Sequence, residues 1–402
     1  MTGPEQSAAP RAVPPAVVRS PRDPVANREK VSVTDVNATA PITVQGEDED
    51  AQQAPAEPAA GEVPPALVSF VVPCYNSADY LHRAVEPLLA APEHVEIVLV
   101  NDGSRDATGE IVDRYAAAHP GIVRAVHREN GGHGAAMDSG ISVARGTYVK
   151  VLDSDDWTDP LALGEYLRRL RDWVTSGEQP DVVITNYVYE NEGRGSRRRV
   201  RYGSFIPEGR ICTWEDLRRP RVGRYLLMHA LTYRREVLRR SGVSFPPHTF
   251  YVDNLMAAIP LREVRTLAYL DIDLYRYYIG REDQSVQESV MLTRIDQQLR
   301  VNRLLVAALR STEISDARHR RYLLHYATIV CSVSLTLTAL AGTEESRRDR
   351  KDLLLYVKRT DPRVYKAFRR SPTGLLLSVP GRGGEMLVRS SYRIARKYIG
   401  FN

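Results

Sequence analysis

Short apolar runs punctuate the chain from residue 67 onward, and between them lie segments whose apolar positions recur at helical spacing. The runs at 67–72, 95–100, 122–126, 148–152 and 181–185 are rich in Val, Ile and Leu, are too short for helices, and predict buried strands. The segments between them, about 78–89, 108–118, 134–144 and 161–174, read as helices. Strands alternating with helices of this length predict βαβ units on a mainly parallel sheet, hence an α/β fold with helices on both faces. A Gly- and Arg-rich stretch at 193–201 reads as an exposed loop. A mixed region follows to about 278, and helical patterns run from about 291 onward. The chain shows no repeat of fixed period.

Residues 1–64 break this pattern. They are rich in Ala, Pro, Glu and Val, carry almost no aromatics, and cannot bury enough apolar area to offset their chain entropy. The expected organisation is therefore a disordered arm at 1–64, an α/β domain at 65–290 and a helical extension at 291–402.

Charge adds an asymmetry. The net charge of +5 over 402 residues hides an acidic arm and a basic end: residues 351–402 hold twelve Lys and Arg against three Asp and Glu. Within that end, residues 389–398 read as a basic amphipathic helix, open either to packing on the domain or to contact with acidic membrane lipid. Nucleic acid is not an expected partner, because the basic residues are not interleaved with aromatics in a recognisable module. Cys74, Cys212 and Cys331 match no disulfide or metal spacing, and the N-terminus lacks the apolar core of a signal peptide; both point to the cytoplasm. The apolar stretch at 326–342 falls short of the roughly 20 residues a membrane span requires and predicts a buried helix.

In an open parallel sheet, ligands sit beyond the carboxyl ends of the strands. Polar residues gather there at Pro73-Cys74-Tyr75-Asn76, at Asn101-Asp102-Gly103-Ser104 and at Asp153-Ser154-Asp155-Asp156. Turn and cap chemistry accounts for any one of these, but less readily for all three on successive units. Two carboxylates one residue apart at a strand end, Asp153 and Asp155, can face one hard divalent cation, Mn2+ or Mg2+, shared with diphosphate oxygens. Asp156 reads as a cap for the helix that follows. Asn130-Gly131-Gly132-His133-Gly134, just before a helix, permits close backbone approach to a polar ligand.

Taken in order, VVPCYN (71–76), VNDGS (100–104), NGGHGAAMDSGISVARGTYVKVLDSDDW (130–157) and YVDN (251–254) resemble the family 2 glycosyltransferases of the GT-A fold, over about residues 67–280. The resemblance implies a three-layer, Rossmann-like sandwich and inverting sugar transfer from a nucleotide-diphospho-sugar, with UDP the default nucleotide. It implies that Pro73, Tyr75 and Asn76 lie at the nucleotide and that Asp102 hydrogen-bonds the base. Asn130, Gly131 and His133 would line the donor sugar, Asp153 and Ser154 would contact donor, and Asp153 and Asp155 would hold metal. Asp253 would be the catalytic base, although Val252 stands where the family often has Glu. Arg281, beyond an aromatic-rich strand, is a candidate clamp on the diphosphate. A glycan or lipid-linked acceptor is expected, in envelope or extracellular polysaccharide synthesis; a lipid carrier would place the protein peripherally at the inner face of the membrane. Two rivals stay open: a nucleotidyltransferase, which would be expected to carry a Gly-rich basic loop after strand one, and a catalytically silent nucleotide-sugar-binding protein.

Overall fold

The computed structural model describes residues 66–91, 93–191, 193, 195–221, 223–279, 288–310, 314–377, 379 and 381–399. The predicted arm at 1–64 and the candidate clamp Arg281 lie outside the described residues. Ten strands and thirteen α-helices follow one another as β1 (Val68–Cys74), α1 (Leu81–Leu89), β2 (Val95–Asp102), α2 (Thr108–Ala118), β3 (Val123–Arg128), α3 (His133–Val143), β4 (Tyr148–Val151), β5 (Trp157–Thr158), α4 (Pro160–Ser176), β6 (Val182–Asn191), β7 (Ser196–Val200), β8 (Ile211–Thr213), β9 (Leu231–Arg234), α5 (Arg235–Ser241), α6 (Asp253–Ala258), β10 (Thr266–Tyr278), α7 (Glu288–Thr293), α8 (Ile295–Arg310), α9 (Ala317–Ala341), α10 (Glu344–Thr360), α11 (Pro362–Arg369), α12 (Pro372–Leu376) and α13 (Gly381–Ile399).

All ten strands join one sheet, whose main path runs β3-β2-β1-β4-β9-β6-β10-β5, with β7 beside β6 and β8 beside β10. The alternating units build its first half: β3, β2, β1 and β4 are mutually parallel. Every residue of β1, β2 and β4 is buried, as strands covered by helices on both faces must be. The second half is mixed. β9 enters antiparallel between β4 and β6, and only β6 and β10 pair in parallel there. No local period announces β9, because its four residues follow a loop and a single 3-10 turn.

Within the stretch read as a loop at 193–201, residues 196–200 form β7 instead, pairing antiparallel with the end of β6. Its arginines do not disfavour the strand, because each is engaged: Arg197 pairs with Glu190 at 2.8 Å, Arg199 with Asp273 at 2.5 Å, and Arg198 lies 4.8 Å over the Tyr189 ring. The helix cap predicted at Asp156 also moves. Asp159 caps α4, its side chain accepting the Ala162 N–H, and Asp156 is drawn into the sheet.

After β10 the described chain is helical. α9 is long and apolar enough to cross a membrane by length and composition, yet it packs among α8, α10, α11 and α13, with Tyr322, Tyr326, Val330 and Cys331 on its buried side. Trp214 stacks on His319 of α9 with ring centroids 4.1 Å apart, and the Leu226 N–H donates to the Tyr322 hydroxyl at 2.8 Å. These contacts fix the helical region to the edge of the sheet domain.

The helix α3 lies on β1 and β2 through Gly140, where an added Cβ would come within 2.3 Å of Val71 Cγ1 and 3.0 Å of Val100 Cγ2. Overpacking of this kind costs about 1–3 kcal/mol. The Gly140→Val variant is accordingly expected to unfold at lower urea, losing about 2 kcal/mol; unfolding at the parent's midpoint would contradict this packing.

Candidate active site

The first two strand ends are laced together before any ligand is considered. The Asn76 N–H donates to Ser104 Oγ at 3.1 Å, and Asn76 Oδ1 accepts the Arg105 N–H at 2.9 Å. Asn76 itself has φ of 49°, a left-handed conformation that asparagine tolerates better than most residues. Ser77 Oγ lies 2.7 Å from Ser154 Oγ, which joins the acidic run to the same corner. Pro73 is buried within β1, whereas Tyr75 is 48% exposed and offers its ring at the mouth.

Asp102 ends β2 and is only 2% exposed. Its Oδ1 accepts the Gly131 N–H at 2.9 Å and lies 3.1 Å from Arg128 Nε. Its Oδ2 accepts the Gly132 N–H at 2.7 Å and Asn130 Nδ2 at 3.2 Å. The carboxylate expected at the nucleobase is thus turned inward and holds the loop before α3. Glycine is required in that loop: Gly132 has φ of 85°, and a Cβ there would stand 3.0 Å from the His248 backbone.

The loop in turn holds a distant segment. His248 N–H donates to the Gly131 carbonyl at 2.7 Å, and Phe245 N–H donates to Asp138 Oδ2 at 3.0 Å. Phe245 Cβ fills the place where a Cβ on Gly134 would be, 2.5 Å away. His248 and Tyr251 both have positive φ, 48° and 67°, so the chain kinks twice just before Asp253. Asp253 is the first residue of α6, whose N-cap residue is Val252. It is half-buried, and Asn254 Nδ2 donates to its Oδ1 at 3.2 Å. Burial raises its carboxyl above the ordinary value, the nearby Asp153 adds to this, and the His229 and His133 imidazoles pull against it. Asp253 and Asp153 therefore each lie within reach of the other's charge.

Asp153 stands between two imidazoles, with His133 Nε2 3.6 Å from its Oδ1 and His229 Nε2 3.6 Å from its Oδ2. Burial alone would raise its carboxyl, but His229, His133 and the Tyr275 hydroxyl together hold it below the usual range. Asp156 is the opposite case. It is fully buried, accepts the Tyr275 hydroxyl at 2.6 Å and the Tyr278 N–H at 2.8 Å, and is driven well above the usual range by burial and by the charges of Asp155 and Asp153. Asp155 is half-buried beside them.

Sequence reasoning missed His229 and Tyr275. His229 sits in the 3-10 turn ahead of β9, stacked on Tyr277, while buried Lys150 donates to its carbonyl oxygen at 2.7 Å. Neither residue belongs to a local motif, and only the antiparallel arrival of β9 and the pairing of β10 bring them to the end of β4. The donor set fits a divalent cation. Ligand atoms of Asp153, Asp156 and His229 lie within 4.8 Å of one another, and Asp153 Oδ1 and His229 Nδ1 are buried with no hydrogen-bond partner. An orphaned carboxylate oxygen and an orphaned imidazole nitrogen are costly unless something coordinates them.

Comparison with known proteins points the same way. The model of the family described as Glycosyl transferase family 2 matches residues 69–241. The putative glycosyltransferase EpsH of Bacillus subtilis is 30% identical over 228 residues, which cover 53% of this chain and 60% of that protein. The chondroitin synthase of Pasteurella multocida is 37% identical over 107 residues, covering 25% of this chain and 11% of that protein. The chain thus spans less than two thirds of the length of these relatives. Among solved structures, residues 1–349 of S. aureus TarS in complex with UDP-GlcNAc superpose with a TM-score of 0.62 at 21% identity, covering 82% of this chain and 92% of that one.

Two outcomes follow from the loop and its clamp. Asp102→Asn sets an amide donor against N–H groups and Arg128. It is expected to cost about 3 kcal/mol and to speed amide exchange at Gly131 and Gly132 by roughly tenfold or more; unchanged exchange would refute the anchoring role. Burial pushes the Asp138 carboxyl up to about 6, so its contribution to stability is present below the unfolded carboxyl value and lost as pH rises through 6. The stability difference between Asp138→Asn and the parent should therefore shift in the variant's favour from pH 4 to pH 6; a flat difference in urea titrations would contradict it.

Proposed function

We propose that this chain, whose residues 69–241 match glycosyl transferase family 2, moves a glycosyl group from a nucleotide-diphospho-sugar to an acceptor hydroxyl, with inversion at the anomeric carbon. The observation that carries this reading is the division of the site. Asp153, with its orphaned oxygen, lies at the end of β4, and Asp253 comes from a separate segment yet stays within its electrostatic reach. A cation site and a base held apart in this way suit in-line displacement, in which the nucleotide leaves on one side and the hydroxyl enters on the other.

In this account Tyr75 and Pro73 line the nucleobase, Asn76 and Ser154 shape the nucleotide corner, and Asn130, Gly131 and His133 border the sugar. Asp102 serves by holding that loop rather than by touching the base. Asp153 and Asp155 would hold the divalent cation, with His229 as a further ligand. A bound cation supplies counter-charge to the departing diphosphate; the imidazole suits Mn2+ better than Mg2+. Asp156 lies in the same 4.8 Å cluster, but both its oxygens are already hydrogen-bonded, to the Tyr275 hydroxyl and the Tyr278 N–H, so its role is to stiffen the acidic turn. Asp253 accepts the proton from the acceptor hydroxyl as the new C–O bond forms and the anomeric C–O bond to the diphosphate breaks, its electron pair leaving with the nucleotide. Its raised carboxyl makes it a stronger base than an exposed aspartate.

The relatives' names support a role in polysaccharide synthesis, and the UDP-GlcNAc bound by TarS makes UDP sugars the first donors to try. We take 65–290 as the catalytic domain and 291–402 as its helical extension. Three buried, unpaired cysteines suit a reducing cytoplasmic setting. The basic α13, with exposed Met386 and Leu387, offers contact with an acidic membrane where the acceptor is lipid-linked.

A screen of nucleotide sugars for thermal stabilisation with and without Mn2+ identifies the donor. With that donor, Asp155→Ala should lose metal-dependent turnover by about a hundredfold or more, and Asp253→Asn should abolish transfer while leaving donor affinity within about threefold. Full turnover in either variant would remove the role assigned to that residue. Transfer by the parent should fall on the acid side through a value above the ordinary aspartate range, because the base works only when ionised.

A further inference from the structure

The geometry points to a second binding site, an arginine-lined cleft that takes the phosphate groups of the acceptor. The cleft holds about 380 Å³ between the segment 214–220 and α9. Trp214 and Tyr322 are buried at its wall, and Arg218, Arg219, Arg318 and Arg321 stand exposed around it. Among the described residues, no carboxylate lies within ion-pair distance of these four guanidiniums. The acid that does line the cleft, Asp216, is already engaged: Arg210 Nη2 donates to its Oδ1 at 3.0 Å, and the Thr213 N–H donates to its Oδ2 at 2.9 Å. Arg318 Nη1 donates to the Leu217 carbonyl at 3.3 Å, so at least one guanidinium is held in place from behind. Four uncompensated cations around one cleft exceed what a single carboxylate would balance, and match a phosphate or diphosphate.

The cleft shares no lining residue with the strand ends assigned to the donor. His325, on its wall, lies 3.0 Å through Nε2 from the Arg224 carbonyl oxygen, and burial together with the Arg219 guanidinium depresses its basicity. From Arg224 the chain runs directly to the reaction centre. Tyr225 is within electrostatic reach of Asp253, the Leu226 N–H is fixed by Tyr322, and His229 sits against Asp153. The segment 224–229 therefore connects a residue bonded to the cleft wall with the histidine beside Asp153. Since the donor diphosphate is assigned to the ends of β1, β2 and β4, phosphate bound in this separate cleft is assigned to the acceptor. This inference rests on the transfer reading for the word acceptor, but the cleft's affinity for phosphate does not depend on it.

Titration of the full chain in EDTA, which withholds the cation from the donor side, followed by Trp fluorescence, tests it. The probes are a glycerol phosphate trimer, farnesyl diphosphate and a glucuronic acid trimer. Binding of a phosphate probe is expected to weaken by about tenfold or more in Arg219→Gln/Arg321→Gln, and to weaken with added salt. Donor hydrolysis should stay within about twofold of the parent. Preference for the trimer or for the diphosphate distinguishes a phosphodiester polymer from a lipid carrier, and either supports the site. Absence of phosphate binding, equal affinity for the uronic acid trimer, or binding untouched by the double substitution overturns it. Failure of the parent to hydrolyse any donor would instead sink the transfer reading alone.

Discussion

The carboxylate of Asp102 organises the site without facing it. It is buried, it pairs with Arg128, and it gathers two backbone N–H groups and one side-chain amide from Asn130–Gly132. A buried charge left without such partners costs several kcal/mol, so the loop and the carboxylate stabilise one another. The tension passes onward through the Gly131 carbonyl to His248, and from there through two kinked residues to Asp253. The candidate base is therefore placed by a chain of main-chain contacts that begins at the end of β2.

Electrostatics divides the work among acids that stand close in sequence. Asp153 and Asp156 are three residues apart yet are driven in opposite directions, because imidazoles surround the first and a buried hydroxyl with neighbouring carboxylates surrounds the second. Lys150 contributes from beneath. Buried on β4, with burial pulling its amine down to about 7, it donates to the carbonyls of His229 and Leu231 and so pins the turn that presents His229. The acidic run is not a block of equivalent ligands; one member is poised for coordination and another is spent on structure.

Much of this was legible beforehand. The apolar runs that predict β1, β2, β4 and β6 are local and nearly continuous, since strands buried on both faces need no polar alternation, whereas β3 lies at the sheet edge and is only partly buried. The polar residues at the ends of β1, β2 and β4 converge for the same reason: parallel strands in register bring their carboxyl ends to one edge. What stayed hidden depends on pairings that no window of sequence contains. His229 arrives on an antiparallel strand of four residues, and Tyr275 reaches Asp156 across 119 positions. Asp156 itself misled, because Asp three residues earlier than a helix looks like a cap until Asp159 is seen to fill that role. The inward turn of Asp102 was equally unreadable, since its partners lie 26 to 30 residues on.

The central claim is that the leaving nucleotide and the entering hydroxyl occupy opposite sides of the sugar, with Asp153 and Asp155 on one and Asp253 on the other. The anomeric configuration of the product, read by proton NMR during transfer from an α-linked UDP sugar, tests it most directly. The account predicts that the first-formed glycoside is β; an α-glycoside, formed with retention, would contradict it.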